Sequence, residues 1–133
     1  MEDKLPQKIE KPWGFELLFA HTPSYAGKLL FIRKGHRFSL QYHQKKDETL
    51  YVYEGGAIVE TESSDGRLTS SVFQAGQQIR IPPLTRHRIQ AIDDTMLFEV
   101  STPELDDVTR LEDDYGRAEL DNPAQRTIDS GLS

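Results

Sequence analysis

Two histidines, a glutamate and a glutamine are of the types that can bind a metal ion. Gln41, His43 and Glu48 fall within GHRFSLQYHQKKDETLYVYEG (35–55), and His87 ends GQQIRIPPLTRH (76–87). Gln41 and His43 are two residues apart, so on a strand both side chains leave the same face. Glu48 follows KKD, a polar stretch suited to a turn, and opens the strand-like run TLYVYE. His87 follows Pro82–Pro83 and opens HRIQAI, with Ile89 and Ala91 on its own face. Imidazole nitrogen and carboxylate oxygen suit a divalent ion such as zinc, manganese, iron or cobalt. The neutral Gln41 carbonyl leans the set toward harder ions. The competing reading is a structural barrel in which Gln41 has emptied the site.

The elements that must hold these residues read as short strands. WGFELLFA (13–20), KLLFIRK (28–34), FSLQYH (38–43), TLYVYE (49–54), AIVETE (57–62), LTSSVFQ (68–74), QIRIP (78–82), RHRIQAI (86–92) and TMLFEVS (95–101) alternate with turn signals. SSDGR (63–67) is a hairpin signal, with Asp-Gly supplying positive φ. Nine short strands with close turns predict an all-β antiparallel sandwich or barrel. The strand pattern ends near Ser101, and only ELDDVTRLEDDYGR, near the C-terminus, has helical periodicity. Strand phase directs Leu50 and Val52 inward, Tyr51 and Tyr53 outward, and Arg86 and Arg88 away from His87. Carried back from Gln41 through Ser39, the same phase turns Arg37 inward, where a buried cation needs an anion from substrate or protein.

Composition narrows the class. A chain of 133 residues suits one domain with one core. With no cysteine, disulfides, thiolate sites and cysteine nucleophiles are excluded, and a reducing cytoplasm is the expected location. The charged start MEDKLPQKIEKPWG shows no secretory signal, and no apolar run reaches membrane-spanning length. Residues 1–103 carry 13 Lys/Arg and 13 Asp/Glu, whereas residues 104–133 carry 3 Arg and 9 Asp/Glu, which accounts for the whole net charge of −6. That asymmetry argues against nucleic acid as a partner. The expected organisation is a barrel with an N-terminal arm and packed tail over 1–117, then a flexible acidic extension over 118–133.

Both site segments resemble the two motifs of the cupin superfamily, G-x5-H-x-H-x4-E-x6-G and G-x5-P-x-G-x2-H. Gln41 stands at the first ligand position, and Leu84 stands where the second motif usually has glycine. The resemblance implies a small jelly-roll barrel (a double-stranded β-helix) around one divalent metal ion. KPWG (11–14), SLQYH, IPPLTRHR (81–88) and LFEVSTPELDDVTRLEDDYGR (97–117) further resemble the cupin domain of type II mannose-6-phosphate isomerases. In that family glutamine is the usual first ligand, so the resemblance implies a metal set of Gln41, His43, Glu48 and His87. Many members also carry a nucleotidyltransferase half, for which no Gly-rich nucleotide loop is present here.

The activity expected from this resemblance is metal-dependent aldose–ketose isomerisation of a phosphorylated sugar. The alternatives are a non-catalytic sugar-binding cupin and, last, a metal-dependent oxygenase. Glu48 is the obvious carboxylate for proton transfer but would be held as a ligand. Glu99 is the next candidate if its strand phase turns it inward. Lys46, near the first-motif turn, could meet a phosphate. Arg110 and Arg117 are seven apart, on one face if the segment is helical, and could reach a phosphate at the barrel mouth. Arg37 is the remaining substrate-binding candidate. A homodimer is expected, and the outward Tyr51 and Tyr53 are candidates for covering an outer surface or for a dimer contact.

Overall fold

The computed structural model describes residues 4–118. They form eleven strands: β1 (Gln7–Lys11), β2 (Gly14–His21), β3 (Ala26–Ile32), β4 (Leu40–Tyr42), β5 (Glu48–Glu54), β6 (Gly56–Glu62), β7 (Leu68–Gln74), β8 (Gln78–Ile81), β9 (His87–Ala91), β10 (Thr95–Ser101) and β11 (Thr109–Glu112). One sheet has the order β1-β2-β3-β10-β5-β8 and the other β11-β4-β9-β6-β7. Every pairing is antiparallel. Consecutive strands often fall in opposite sheets, so two site segments that neighbour in sequence end on facing walls.

All nine strands expected from the alternation form, most within two residues of their expected bounds. The 63–67 hairpin forms as well: Ser63 N–H donates to Arg67 O at 2.8 Å, and Gly66 has φ 83°. Inward positions of both sheets build the core, with Trp13, Leu30, Ile32, Leu50, Val52, Val59, Ile81, Ile89 and Leu97 all buried. Each such side chain contributes roughly 1.5–3 kcal/mol of burial. Tyr51 and Tyr53 face outward as expected.

The tail departs from expectation. Residues 109–112 are not helical; they form β11, which pairs with β4 (Arg110↔Gln41). The edge of β4 offers unpaired backbone groups, and pairing there outweighs a weak local helical pattern. β11 also explains Arg88. It does point away from His87, but it lies buried beneath the tail, with Nε donating to Phe38 O at 2.9 Å and an Nη to Glu112 O at 3.3 Å. The expected extension over 118–133 lies, apart from Ala118, outside the described residues.

Arg37 is the second correction. It does not face inward: its guanidinium forms a two-pronged ion pair with Asp114, at 2.7 and 2.8 Å. The register explains the reversal. Arg37 bridges Gln90 while Gln41 pairs with His87, so the pairing slips by one residue between them. One extra residue in a strand reverses the facing of everything beyond it.

Candidate metal centre and cavity

The first-motif and second-motif residues meet between the two sheets. His43 follows β4 and His87 opens β9 on one wall; Glu48 opens β5 on the other. Their ligand atoms all lie within 4.8 Å of one another, and all three residues are buried. Glu48 Oε2 stands 3.5 Å from Nε2 of both His43 and His87. Two donors about 2.1 Å from a tetrahedral ion stand roughly 3.4 Å apart, so the spacing fits.

The ring orientations fit too. His43 Nδ1 lies 2.5 Å from Asp107 O, and His87 Nδ1 lies 2.9 Å from Thr85 O. A carbonyl only accepts, so each Nδ1 carries the proton and each Nε2 is turned toward Glu48. His43 Nε2 is buried without a well-formed hydrogen bond, Glu48 Oε2 standing 3.5 Å away. A buried polar atom without a partner is costly unless something else occupies its lone pair. These observations make His43, Glu48 and His87 a group that could hold a divalent ion. Gln41, paired in register with His87, lines the same space, and its Oε1 accepts from Ser39 Oγ at 2.5 Å.

Surrounding hydrogen bonds hold the backbone that carries His43. Asp107 accepts the backbone N–H groups of Gln44, Lys45 and Lys46 at 2.9, 2.7 and 2.9 Å, so the residue that orients His43 also caps the turn between His43 and Glu48. Burial acts to raise the Asp107 pKa, but these three donors hold it below its usual range. Leu84 N–H donates to His43 O at 2.7 Å. Leu84 itself has φ 64°, the left-handed conformation that explains why glycine is usual at that motif position.

Beside this group lies a cavity of about 300 Å³. Glu99 does turn into it, with Leu97 on its own face and Phe98 and Val100 outward. Lys46 is buried between two carboxylates, 2.8 Å from Glu99 and 3.4 Å from Glu48. For Glu48, burial pushes the pKa up, but the facing His43 and His87 rings and the Lys46 ammonium hold it well below the usual carboxylate range. For Glu99, burial and the nearby Glu48 charge push it up against the opposing pull of Lys46. Lys46 would be lowered by burial, yet Glu99 and Glu48 raise it above its ordinary value.

Arg110 and Arg117 reach the same cavity from the tail. Arg117 is also braced by Asp113, at 3.0 Å from both Nε and an Nη. Arg37 is not part of the lining. Among the charged lining residues, Lys11, Glu16 and Lys28 on the sheet and Asp106 and Asp107 before β11 escaped the sequence reading. A signal was available for two of those on the sheet. Lys28 shares its strand face with Leu30 and Ile32, and Glu16 shares its face with Leu18, so each places a charge in an apolar row.

Two antiparallel sheets closed around a buried His/Glu/His group define a cupin. The family model "Mannose-6-phosphate isomerase C-terminal" matches residues 1–113, and the chain belongs to that family. Among solved structures, it is similar to KdgF from Halomonas sp., at 22% identity and TM-score 0.67, over 75% of this chain and 90% of that one. Oxalate decarboxylase from Bacillus subtilis matches at 19% identity and TM-score 0.69, over 80% of this chain and 30% of that one. The capsular polysaccharide assembling protein CapF from Staphylococcus aureus matches at 17% identity and TM-score 0.67, over 80% and 32%. This chain thus spans about a third of the latter two. No curated protein matches. Among the described residues no helix is long and apolar enough to cross a membrane.

Proposed function

We propose that the protein is a metal-dependent aldose–ketose isomerase of a phosphorylated hexose, of the mannose-6-phosphate to fructose-6-phosphate type. The observation that supports this reading best is the position of Glu99. It is a buried carboxylate facing a sugar-sized cavity beside a His/Glu/His group. The reaction needs such a carboxylate near a carbonyl-binding end. Glu99 takes the proton from C2 and returns it to C1, while the hydroxyl proton passes from O2 to O1, so nothing is gained or lost overall. Lys46, held between Glu48 and Glu99, donates toward the sugar oxygens and fixes the Glu99 carboxylate. A divalent ion bound by Gln41, His43, Glu48 and His87 would supply positive charge for the enediolate oxygens. Arg110 and Arg117 meet the phosphate at the mouth. Arg37, committed to Asp114 outside the cavity, drops out of the substrate set. The outer face around Tyr51 and Tyr53 serves as a homodimer contact.

The test is conversion of mannose 6-phosphate by protein stripped of metal and reloaded with zinc, manganese, iron or cobalt. Proton NMR in deuterated water would follow exchange at C2. Turnover with loss of the C2 proton signal supports the reading. Binding without exchange or turnover, under every metal, would sink it in favour of a sugar-binding cupin.

A further inference from the structure

The inner face of the six-stranded sheet carries charges where a barrel core needs none. Starting at the metal end, Glu48, Lys46, Glu99, Lys28, Glu16 and Lys11 follow one another with alternating sign. Lys46 lies 3.4 Å from Glu48 and 2.8 Å from Glu99. Glu99 is the cross-strand partner of Lys28. Lys28 Nζ lies 3.2 Å from Glu16, and Lys11 Nζ lies 3.8 Å from the other Glu16 oxygen. The run crosses β10, β3, β2 and β1 and lines the cavity throughout. Its strand-mates on the same face are Leu18, Leu30, Leu50 and Leu97, all buried.

Stability does not account for this arrangement. Buried ion pairs are commonly matched or exceeded in stability by apolar side chains of similar size, because desolvation offsets their attraction. Lys28 is only 6% exposed, yet its side chain lines the cavity and meets Glu16 there instead of packing within the core. A hydroxyl group both donates and accepts, and a row of alternating carboxylates and ammoniums offers each hydroxyl one of each. Trp13, packed on Phe38 with ring centroids 4.5 Å apart, lines the same cavity and offers an apolar surface to a sugar's C–H groups.

We propose that Lys28 and Glu16, with Lys11 at the outer end, form a hydroxyl-reading subsite for an extended polyhydroxy chain whose reacting end lies at Glu99. The subsite deepens the isomerase reading by naming what it recognises: an open-chain sugar phosphate, selected by its middle hydroxyls rather than by its phosphate alone. Burial lowers the Lys11 pKa, opposed by Glu16 and reinforced by Lys28, Arg110 and Arg117, so the outer end sits in a cationic field suited to an acidic terminus.

The test uses glucitol 6-phosphate, an open-chain polyol phosphate that cannot be isomerised, so that binding is read apart from turnover. Propyl phosphate, which lacks the hydroxyls, is the comparison. Calorimetric affinities are measured for the parent, Lys28→Met and the double variant Glu16→Gln/Lys28→Met. The double variant removes one charge of each sign and guards against a misfolded single variant. The expected result is a loss of roughly tenfold or more for glucitol 6-phosphate, since each variant removes charged hydrogen bonds. Propyl phosphate affinity should change less than about twofold in the double variant, whose net charge is unchanged and in which Lys11, Arg110 and Arg117 are intact. Equal losses for the two probes, no loss for either, or no parental binding of glucitol 6-phosphate at millimolar concentration would overturn the subsite. Absence of turnover with the binding pattern intact would sink the isomerase reading and leave the subsite standing.

Discussion

Each candidate ligand acts through a specific atom, and that makes its removal informative. His43→Ala and His87→Ala each delete one Nε2 from the group around Glu48, while the apolar core of both sheets stays in place. Both variants should lose most bound metal yet keep their strand circular dichroism, because a barrel with its own core does not need the ion to fold. Elemental analysis equal to the parent in both would refute the assignment. Glu48→Gln should weaken metal binding more than Gln41→Ala does, by at least about tenfold, since it removes the anionic donor while Gln41 offers a neutral dipole. A larger effect at Gln41 would mean that Glu48 does not bind the ion. Leu84 permits a backbone test. Its φ of 64° is unfavourable for a side chain, so Leu84→Gly should stabilise by up to about 1 kcal/mol, with the gain reduced by glycine's extra unfolded-state freedom. A denaturant midpoint below the parent's would show that the Leu84 side chain contributes more than its strain removes.

At the level of elements, much was legible because the alternation is local. Gly and Asp-Gly punctuation separates nine runs, and period-two placement of Leu50, Val52, Ile89 and Ala91 sets which face is buried. The candidate metal residues were legible through the resemblance to the two cupin motifs, and the Gln41–His43 spacing placed both side chains on one face. What failed depends on pairing that no single segment carries. β1 has only Ile9 as a strand-forming hydrophobe and exists by pairing with β2. β11 exists because β4 has an open edge. The one-residue slip before Gln41 reverses Arg37, and nothing in GHRFSLQ announces it. β11 and the strap before it consequently matter more than a strand pattern ending at Ser101 suggests. Truncation after Pro103 removes Asp107, which caps the turn carrying Lys46, together with the cover over Arg88. Such a protein should be destabilised and lose metal, rather than remain an intact metal-binding barrel. Asp107→Ala isolates part of that effect. It removes three hydrogen bonds to backbone donors, one of them on the buried Lys46, so it should cost about 1–3 kcal/mol, and calorimetric metal affinity should fall with it. Unchanged metal affinity in Asp107→Ala would show that the carboxylate-capped turn does not position the site, since the variant keeps the Asp107 carbonyl that accepts from His43.

At the level of the whole molecule, the six-stranded sheet has two faces that should both be sheltered. Its inner face lines the cavity. Across its outer face Tyr51, Phe98, Leu29 and Leu17 are cross-strand partners in one row, uncharged until Lys8 on β1. Tyr53 packs edge-on against Phe98 at 5.5 Å, and Tyr53 and Val100 are 60% and 59% exposed. Contiguous apolar surface of this kind marks an interaction site, and closed symmetric dimers are the commonest use of a self-complementary face. About 800 Å² per partner makes a standard interface, an area within reach of an outer face spanning four strands. Light scattering at micromolar concentration should give about twice the 15.2 kDa chain mass. The double variant Phe98→Lys/Val100→Lys places two like charges on each copy at the proposed contact. It should elute as a monomer while keeping the parent's metal content, because Leu97 and Glu99 on the opposite face are untouched. A parent protein that scatters as a monomer at every concentration, or a variant that stays dimeric, would remove this face as the contact.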